Sequence, residues 1–222
     1  MICIPITETT GEGAIKAVEK ASRLAGLIEL RMDYLREAGL VEVILKGRKN
    51  PFIVTNRRRA EGGMCRVDER TRMEVLEKAI DLGAEFVDVE LGTERSLLQR
   101  LMADRKRTEI ILSFHDFQGT PSQSQLRGLY KRMVRWKPDF IKIATFARSW
   151  EDNFRILSLI PYALDRNQKI VTFCMGEKGR MSRIFSPLMG GAWTYASLAR
   201  NRASAPGQLT ALEMTEIWEY LR

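Results

Sequence analysis

The stretch "ERTRMEVLEKAIDLGAEFVDVEL", residues 69–91, decides the fold because it holds one complete structural unit. In its first part Met73, Leu76 and Ile80 recur at three- and four-residue steps, the period of one helix face. Gly83 follows the helix end near Leu82, a common C-terminal signal. The run after it, "EFVDVEL" (85–91), is short, rich in β-formers and apolar at alternate positions, as a strand requires. The same theme repeats outward in both directions. Strand-like runs stand at "ICIPI" (2–6), "LIEL" (27–30), "FIVT" (52–55), "EIILSF" (109–114), "DFIKIA" (139–144), "KIVTFCM" (169–175) and "AWTYAS" (192–197). Helical spacing fills about 11–25, 94–105, 122–136, 149–163 and 208–221, with Pro138 parting a helix from a strand and room for only a short helix after the second strand. Eight strands alternating with helices predict a parallel α/β fold. Eight units in 222 residues fit a single (β/α)8 TIM barrel spanning residues 1–222, near the lower end of the usual ~200–400 residues for that fold. A doubly wound sheet is the alternative, but "PITETTGEG" after the first strand lacks the GxGxxG turn that such sheets use for phosphates. The eighth strand is the open point, since Trp193 and Tyr195 also suit a helix.

Composition narrows the function classes. The chain is 45% hydrophobic and 29% charged, as an ordinary globular domain is, and no apolar run approaches the ~20 residues needed to cross a bilayer. The N-terminal "MICIPITETTGEG" has neither a basic segment nor a long apolar segment, so no signal peptide is expected and a cytoplasmic protein is. Cys3, Cys65 and Cys174 are odd in number and widely spaced, which predicts free thiols. With a single histidine and no CxxC pair, no metal site is expected. The net charge of +8 is compatible with nucleic acid, with anionic small molecules or with solubility alone. The basic residues are scattered, with clusters at Arg57–Arg59 and at Arg105–Arg107. The second cluster ends a helix, where cations suit the dipole. No ordered nucleic-acid motif accompanies them, so no nucleic-acid partner is expected.

In a barrel, alternate strand residues point inward, and those at the C-terminal ends face the mouth. By that rule Glu29 pairs with Arg31 on one face, Thr55 with Arg57, Asp88 with Glu90, and Ser113 with His115, while Lys142 points opposite to Ile141 and Ile143. Charges inside a sheet core are costly unless paired. One reading is therefore a buried salt-bridge network with Lys142 neutralising carboxylates and His115 as a satisfied core ring. The other is chemical. A lysine among apolar neighbours is open to desolvation and to attack on a ketone, and a histidine one strand earlier is placed to move protons. That predicts Schiff-base chemistry and does not by itself choose between a dehydratase and an aldolase.

These residues resemble a known family, the type I 3-dehydroquinate dehydratases of the shikimate pathway. The likeness spans essentially the whole chain: "ELRMDYL" (29–35), "TNRRRAEGG" (55–63), "DVEL" (88–91), "SFHDF" (113–117), "KIAT" (142–145), "MSR" (181–183) and "ASAPGQ" (203–208). The resemblance implies a cofactor-free barrel acting on 3-dehydroquinate, with Lys142 forming an imine and His115 as general acid/base. It further implies that Arg183 grips the substrate carboxylate, with Arg180 as a competing candidate. Glu29, Arg31, Arg57 and Glu61 would contact the substrate, Ser204 and Gln208 would cover it as a lid, and Asp88 would orient groups from behind. A homodimer is a further implication. A Schiff-base aldolase on the same barrel remains the alternative enzyme. Its phosphate-binding loops after strands 7 and 8 find no ready match, since "GGAWT" precedes the eighth strand and "SAPGQ" follows it.

Overall fold

The computed structural model describes residues 1–35 and 39–221. Its strands are β1 (Ile2–Ile6), β2 (Leu27–Arg31), β3 (Phe52–Thr55), β4 (Phe86–Glu90), β5 (Glu109–Asp116), β6 (Phe140–Phe146), β7 (Lys169–Met175) and β8 (Thr194–Tyr195). They pair in parallel in the order β7-β6-β5-β4-β3-β2-β1-β8. The ring nearly closes where the Ala192 N–H, just before β8, donates to the Ile170 carbonyl of β7 at 2.8 Å. Helices α1 (Gly11–Ala21), α2 (Leu40–Lys46), α3 (Glu69–Asp81), α4 (Arg95–Ala103), α5 (Gln123–Val134), α6 (Glu151–Leu157), α7 (Leu159–Leu164), α8 (Arg180–Leu188) and α9 (Ala211–Tyr220) connect or follow them. This is the (β/α)8 barrel that the alternation predicts.

Local chemistry explains where the helices begin. The Asp68 carboxylate accepts the Thr71 N–H at the start of α3, and capping boxes formed by Ser122 with Gln125 and by Thr210 with Glu213 open α5 and α9. Gly83 adopts φ +74 just past α3, a left-handed turn that glycine makes without steric cost.

Three elements depart most from the sequence reading. The expected helix over 149–163 is two helices meeting at Ser158, because Pro161 has no N–H to carry the ladder back to Leu157. Helix α8 was masked in the sequence by the glycines of "GEKGR" and by Pro187 near its end. The eighth strand shrinks from 192–197 to two residues. Beyond Ala196 the backbone leaves β1, and Ser197 pairs instead with Leu209 and Thr210 at the head of α9. No helix among the described residues is long and apolar enough to cross a membrane.

The two-residue period of the strands builds two cores. Outward-facing Ile28, Leu30, Val54, Val87, Val89, Leu112, Ile141 and Ile143 pack on helix residues such as Met73, Leu76, Leu98, Leu126 and Met133. Inward-facing residues stack in layers contributed by alternate strands. The lowest layer is Leu27, Phe86, Phe140 and Trp193, with ring centroids 4.8–5.9 Å apart among the three aromatics. Cys3, Ile53, Ile111 and Val171 make the next. These two layers plug the barrel and form the floor on which the polar residues stand.

Candidate active site

The third layer comes from the same four strands as the lowest one, two residues further on: Glu29, Asp88, Lys142 and Tyr195. All four are buried. The Lys142 Nζ donates to Asp88 Oδ2 at 2.8 Å, to the Tyr195 hydroxyl at 3.0 Å and to Glu29 Oε1 at 3.4 Å. This corrects one part of the sequence reading. The immediate neighbours of the amine are polar, because alternation sends Ile141 and Ile143 into the outer core.

Arg57, just beyond β3, knits this layer to the one above. Its guanidinium contacts Asp88 Oδ2 at 2.8 Å, Glu90 Oε1 at 2.9 Å and Ser113 Oγ at 2.7 Å, and Ser113 donates onward to Asp88 Oδ1 at 2.7 Å. Burial alone would raise the Asp88 pKa, but the charges of Arg57 and Lys142 outweigh it and hold that carboxyl far below its usual range. Asp88 is therefore a fixed negative charge. Behind it Arg72, a buried helix residue, takes Glu90 Oε2 at 2.8 Å and Glu69 at 3.0 Å. Arg31 is held by a two-pronged bond to Asp33, at 2.8 and 2.7 Å, and Asp33 also accepts the backbone N–H groups of Arg57 and Met64. Burial works against ionisation of Asp33, yet these donors keep its pKa lowered. The loop that delivers Arg57 and Glu61 needs its glycines. A Cβ on Gly63 would lie 1.9 Å from the Arg57 carbonyl oxygen, and one on Gly62 (φ +78) would lie 2.3 Å from the Phe117 ring.

His115 sits at the upper end of β5. A single Glu61 oxygen, Oε2, is 2.9 Å from its backbone nitrogen and 3.0 Å from its Nδ1. When Glu61 is ionised it accepts the Nδ1 proton, which leaves Nε2 with its lone pair free. Burial, then the charges of Arg57 and Lys142, push the imidazole pKa well below its ordinary value, so the ring is neutral at physiological pH. Burial also raises Glu61 to about 7, with Arg57 opposing and Glu90 reinforcing. A neutral histidine beside a carboxyl that titrates near neutrality is equipped to pass a proton in either direction.

Arg183 presents a different kind of problem. It projects from the first turns of α8, is 0% exposed, and stacks its Cζ 4.4 Å from the Phe173 ring. Its three guanidinium nitrogens have no hydrogen-bond partner among the described residues. Burial pushes its pKa down to about 10, so the group stays charged at neutral pH at a cost on the order of 3 kcal/mol to the fold. A buried, unpaired guanidinium is a ready binding site for an anion such as a carboxylate. Arg180, the competing candidate, lies half-exposed at the surface 3.6 Å from Glu177.

One cavity of ≈ 460 Å³, measured out to its open mouth, brings these groups together. Its lining includes Glu29, Arg31, Arg57, Glu61, His115, Lys142, Arg183, Ser204 and Gln208, the nine positions that the resemblance assigns to catalysis or to substrate contact once Arg180 is set aside. Asp88, assigned a supporting place, lies beneath the lining against Lys142. Ser204 and Gln208 bond to each other across the loop after β8, where the Gln208 oxygen accepts the Ser204 N–H at 2.8 Å. That loop is tied to the end of β7 by the Gly176 N–H to the Pro206 carbonyl. Sequence reasoning missed Tyr195, Phe173 and Met175 in the lining, and Asp33 and Arg72 behind it. The signal for Tyr195 was available: it lies two residues from Trp193, so the two share the inward face. Arg72 offered none, because a charged residue in the first turn of a helix ordinarily points to water. Among the described residues no group of three or more His, Cys, Asp or Glu side chains is arranged to hold a metal ion.

Fold and cavity together define a (β/α)8-barrel protein whose polar site stands at the C-terminal ends of the strands, the position that enzymes of this architecture use. The model of one such family, described as type I 3-dehydroquinase, matches residues 2–222, and the chain belongs to that family. It is 37% identical over 223 residues to the 3-dehydroquinate dehydratase of Methanocaldococcus jannaschii, covering 100% of this chain and 99% of that one. Its identity to the 3-dehydroquinate dehydratase of Dehalococcoides mccartyi (strain BAV1) is 39% over 219 residues, covering 98% and 94%. Among solved structures, the 3-dehydroquinate dehydratase of Aquifex aeolicus superposes with a TM-score of 0.81 at 28% identity, covering 99% and 98% of the two chains. That of Geobacillus kaustophilus gives a TM-score of 0.91 at 24% identity, covering 99% and 90%, a likeness of fold.

Proposed function

We propose that this chain is a 3-dehydroquinate dehydratase, a hydro-lyase that removes water from 3-dehydroquinate to give 3-dehydroshikimate, the third step of the shikimate pathway. The observation that carries the reading is the content of one cavity: a buried primary amine, a histidine–carboxylate pair and an unpaired guanidinium. A ketone that is also a carboxylic acid needs all three. The family membership and the relatives' activity support the same conclusion.

The Lys142 Nζ lone pair attacks the ketone carbon, the C–N bond forms, and the protons that the nitrogen sheds pass through Nε2 of His115 to the carbonyl oxygen, which leaves as water. The resulting iminium draws electrons away from the adjacent carbon, which acidifies its C–H bond. Nε2 of His115 takes that proton, the electron pair moves toward the iminium nitrogen, and the C1 hydroxyl leaves as water after His115 returns a proton. Elimination on one face of the ring follows from using one base for both transfers. Hydrolysis of the imine then frees the product and restores the amine. Arg183 would hold the carboxylate through parallel N–H bonds. Glu29, Arg31, Arg57 and Glu61 face the ring hydroxyls, Ser204 and Gln208 close over it, and Asp88 orients Lys142 from beneath. This chemistry needs no added cofactor. Residues 1–222 would act as one catalytic unit in the cytoplasm, as a homodimer.

The test is to mix the protein with 3-dehydroquinate and borohydride and to map the adduct by mass spectrometry. A single reduced adduct on Lys142 is expected. Folded protein that turns the substrate over without any adduct on Lys142 would overturn the imine route.

A further inference from the structure

Of the three groups that hold the Lys142 amine, two are carboxylates and one is not. Tyr195 stands on β8, two strands from β6 in one direction, and Asp88 stands on β4, two strands away in the other. The amine is thus gripped from both sides, by a hydroxyl at 3.0 Å and a carboxylate oxygen at 2.8 Å, with Glu29 facing it at 3.4 Å. The Tyr195 ring is 3% exposed, and its centroid lies 4.3 Å from the same nitrogen. Phe173 packs against the ring at 5.8 Å, which fixes where the hydroxyl can be.

A protonated amine has three N–H groups, and here three acceptors receive them. A lysine that forms an imine cannot keep that arrangement. Its nitrogen carries two N–H groups when it attacks and a single one as the iminium. Each lost N–H leaves a buried acceptor without a donor, and an ionised carboxylate has no proton of its own to offer. A hydroxyl has one and can rotate from accepting to donating.

On this basis, and resting on the imine reading above, we propose that Tyr195 is the positioning residue for Lys142: its hydroxyl orients the amine for attack and exchanges acceptor for donor as the nitrogen loses its N–H groups. No net proton passes through the phenol. The C–N bond is made by the lysine lone pair, the oxygen departs as water through His115, and Tyr195 keeps its proton throughout. Burial, reinforced by the nearby Glu29, raises the phenol pKa well above its ordinary value, which keeps that proton in place.

Tyr195→Phe removes one oxygen and preserves the ring, its packing and its contact with the amine. The expected result is a loss of about 10-fold or more in kcat with KM within about 2-fold of wild type. The single-turnover rate of borohydride-trapped adduct formation should fall by the same factor. Thermal unfolding, together with affinity for a ring carboxylate that lacks the ketone, establishes that the variant's fold and anion site are intact. Wild-type kcat and trapping rate in a folded Tyr195→Phe protein would reduce Tyr195 to a wall of the cavity and overturn this inference while leaving the imine reading in place. Failure of the wild-type enzyme to trap on Lys142 would overturn both. A fall in kcat matched by a fall in affinity for the ketone-free carboxylate would also count against it, since that pattern is one of general distortion.

Discussion

The barrel interior holds two regions made by the same four strands, and they are chemical opposites. Leu27, Phe86, Phe140 and Trp193 fill the lowest layer with apolar surface and aromatic contacts. Two residues further along each strand stand Glu29, Asp88, Lys142 and Tyr195, a layer of ionisable groups buried just as deeply. Burial of the first set stabilises the fold through the hydrophobic effect. Burial of the second set is tolerable only because nearly every charge has a partner, down to Arg57 and Arg72 in supporting positions. Depth in the barrel therefore separates stability from chemistry along one and the same strand.

Substitutions in the two layers should break the molecule in different ways. The largest effect expected is from Lys142→Ala, which should abolish turnover of 3-dehydroquinate while circular dichroism still reports a folded barrel; appreciable residual catalysis would refute the imine role. In the layer below, Phe140→Ala should cost about 3–5 kcal/mol of stability in denaturant unfolding, with activity per folded molecule nearly preserved. Loss of activity without loss of stability at that position would dissolve the contrast.

At the rim, His115→Ala should lower kcat at least ~10²-fold. The pH dependence of the wild type adds a sign to this prediction. On the proposed route Nε2 serves as a base only while Glu61 is ionised and holds the Nδ1 proton, and burial raises the Glu61 pKa to about 7. As pH falls through that value, Glu61 gains a proton, so kcat/KM should decline on the acid side with a midpoint near 7. A flat profile down to pH 5 would detach Glu61 from the histidine. The smallest effect is also a gain. Arg183→Leu should raise KM or lower kcat/KM, and it should raise stability by about 1–3 kcal/mol, because it deletes a buried charge that has no hydrogen-bond partner among the described residues. A destabilised Arg183→Leu protein would mean that the stack on Phe173 outweighs the desolvation cost.

How much of this could be read from the sequence varied with the type of signal. Strands β1, β3 and β7 have the limits that period and punctuation predict, 2–6, 52–55 and 169–175, because a buried parallel strand is a continuous apolar run. Placement of Lys142 and His115 at the mouth also follows from inward alternation, and the structure sets both on the cavity wall. Long-range pairing was beyond reach. Nothing local tells that Arg72 turns inward to Glu90, or that Asp33 bridges Arg31 to the Met64 amide. β8 was hardest because its two residues are held in place by β1, with Ser197 just beyond them paired to the head of α9, and so short a strand has little propensity of its own.

The grip on the lysine nitrogen from strands on either side has a consequence for anyone who would re-engineer this scaffold. Positions 29, 88, 142 and 195 are scattered across the chain, yet they form one cassette: the amine arrives on β6, its carboxylate partners on β2 and β4, and its hydroxyl partner on β8. Transplanting a single member into another barrel would bring a buried charge without its neutralisers. Moving all four, at the same height and on alternate strands, would carry the whole local environment of the amine, whatever loops the new host supplied above it.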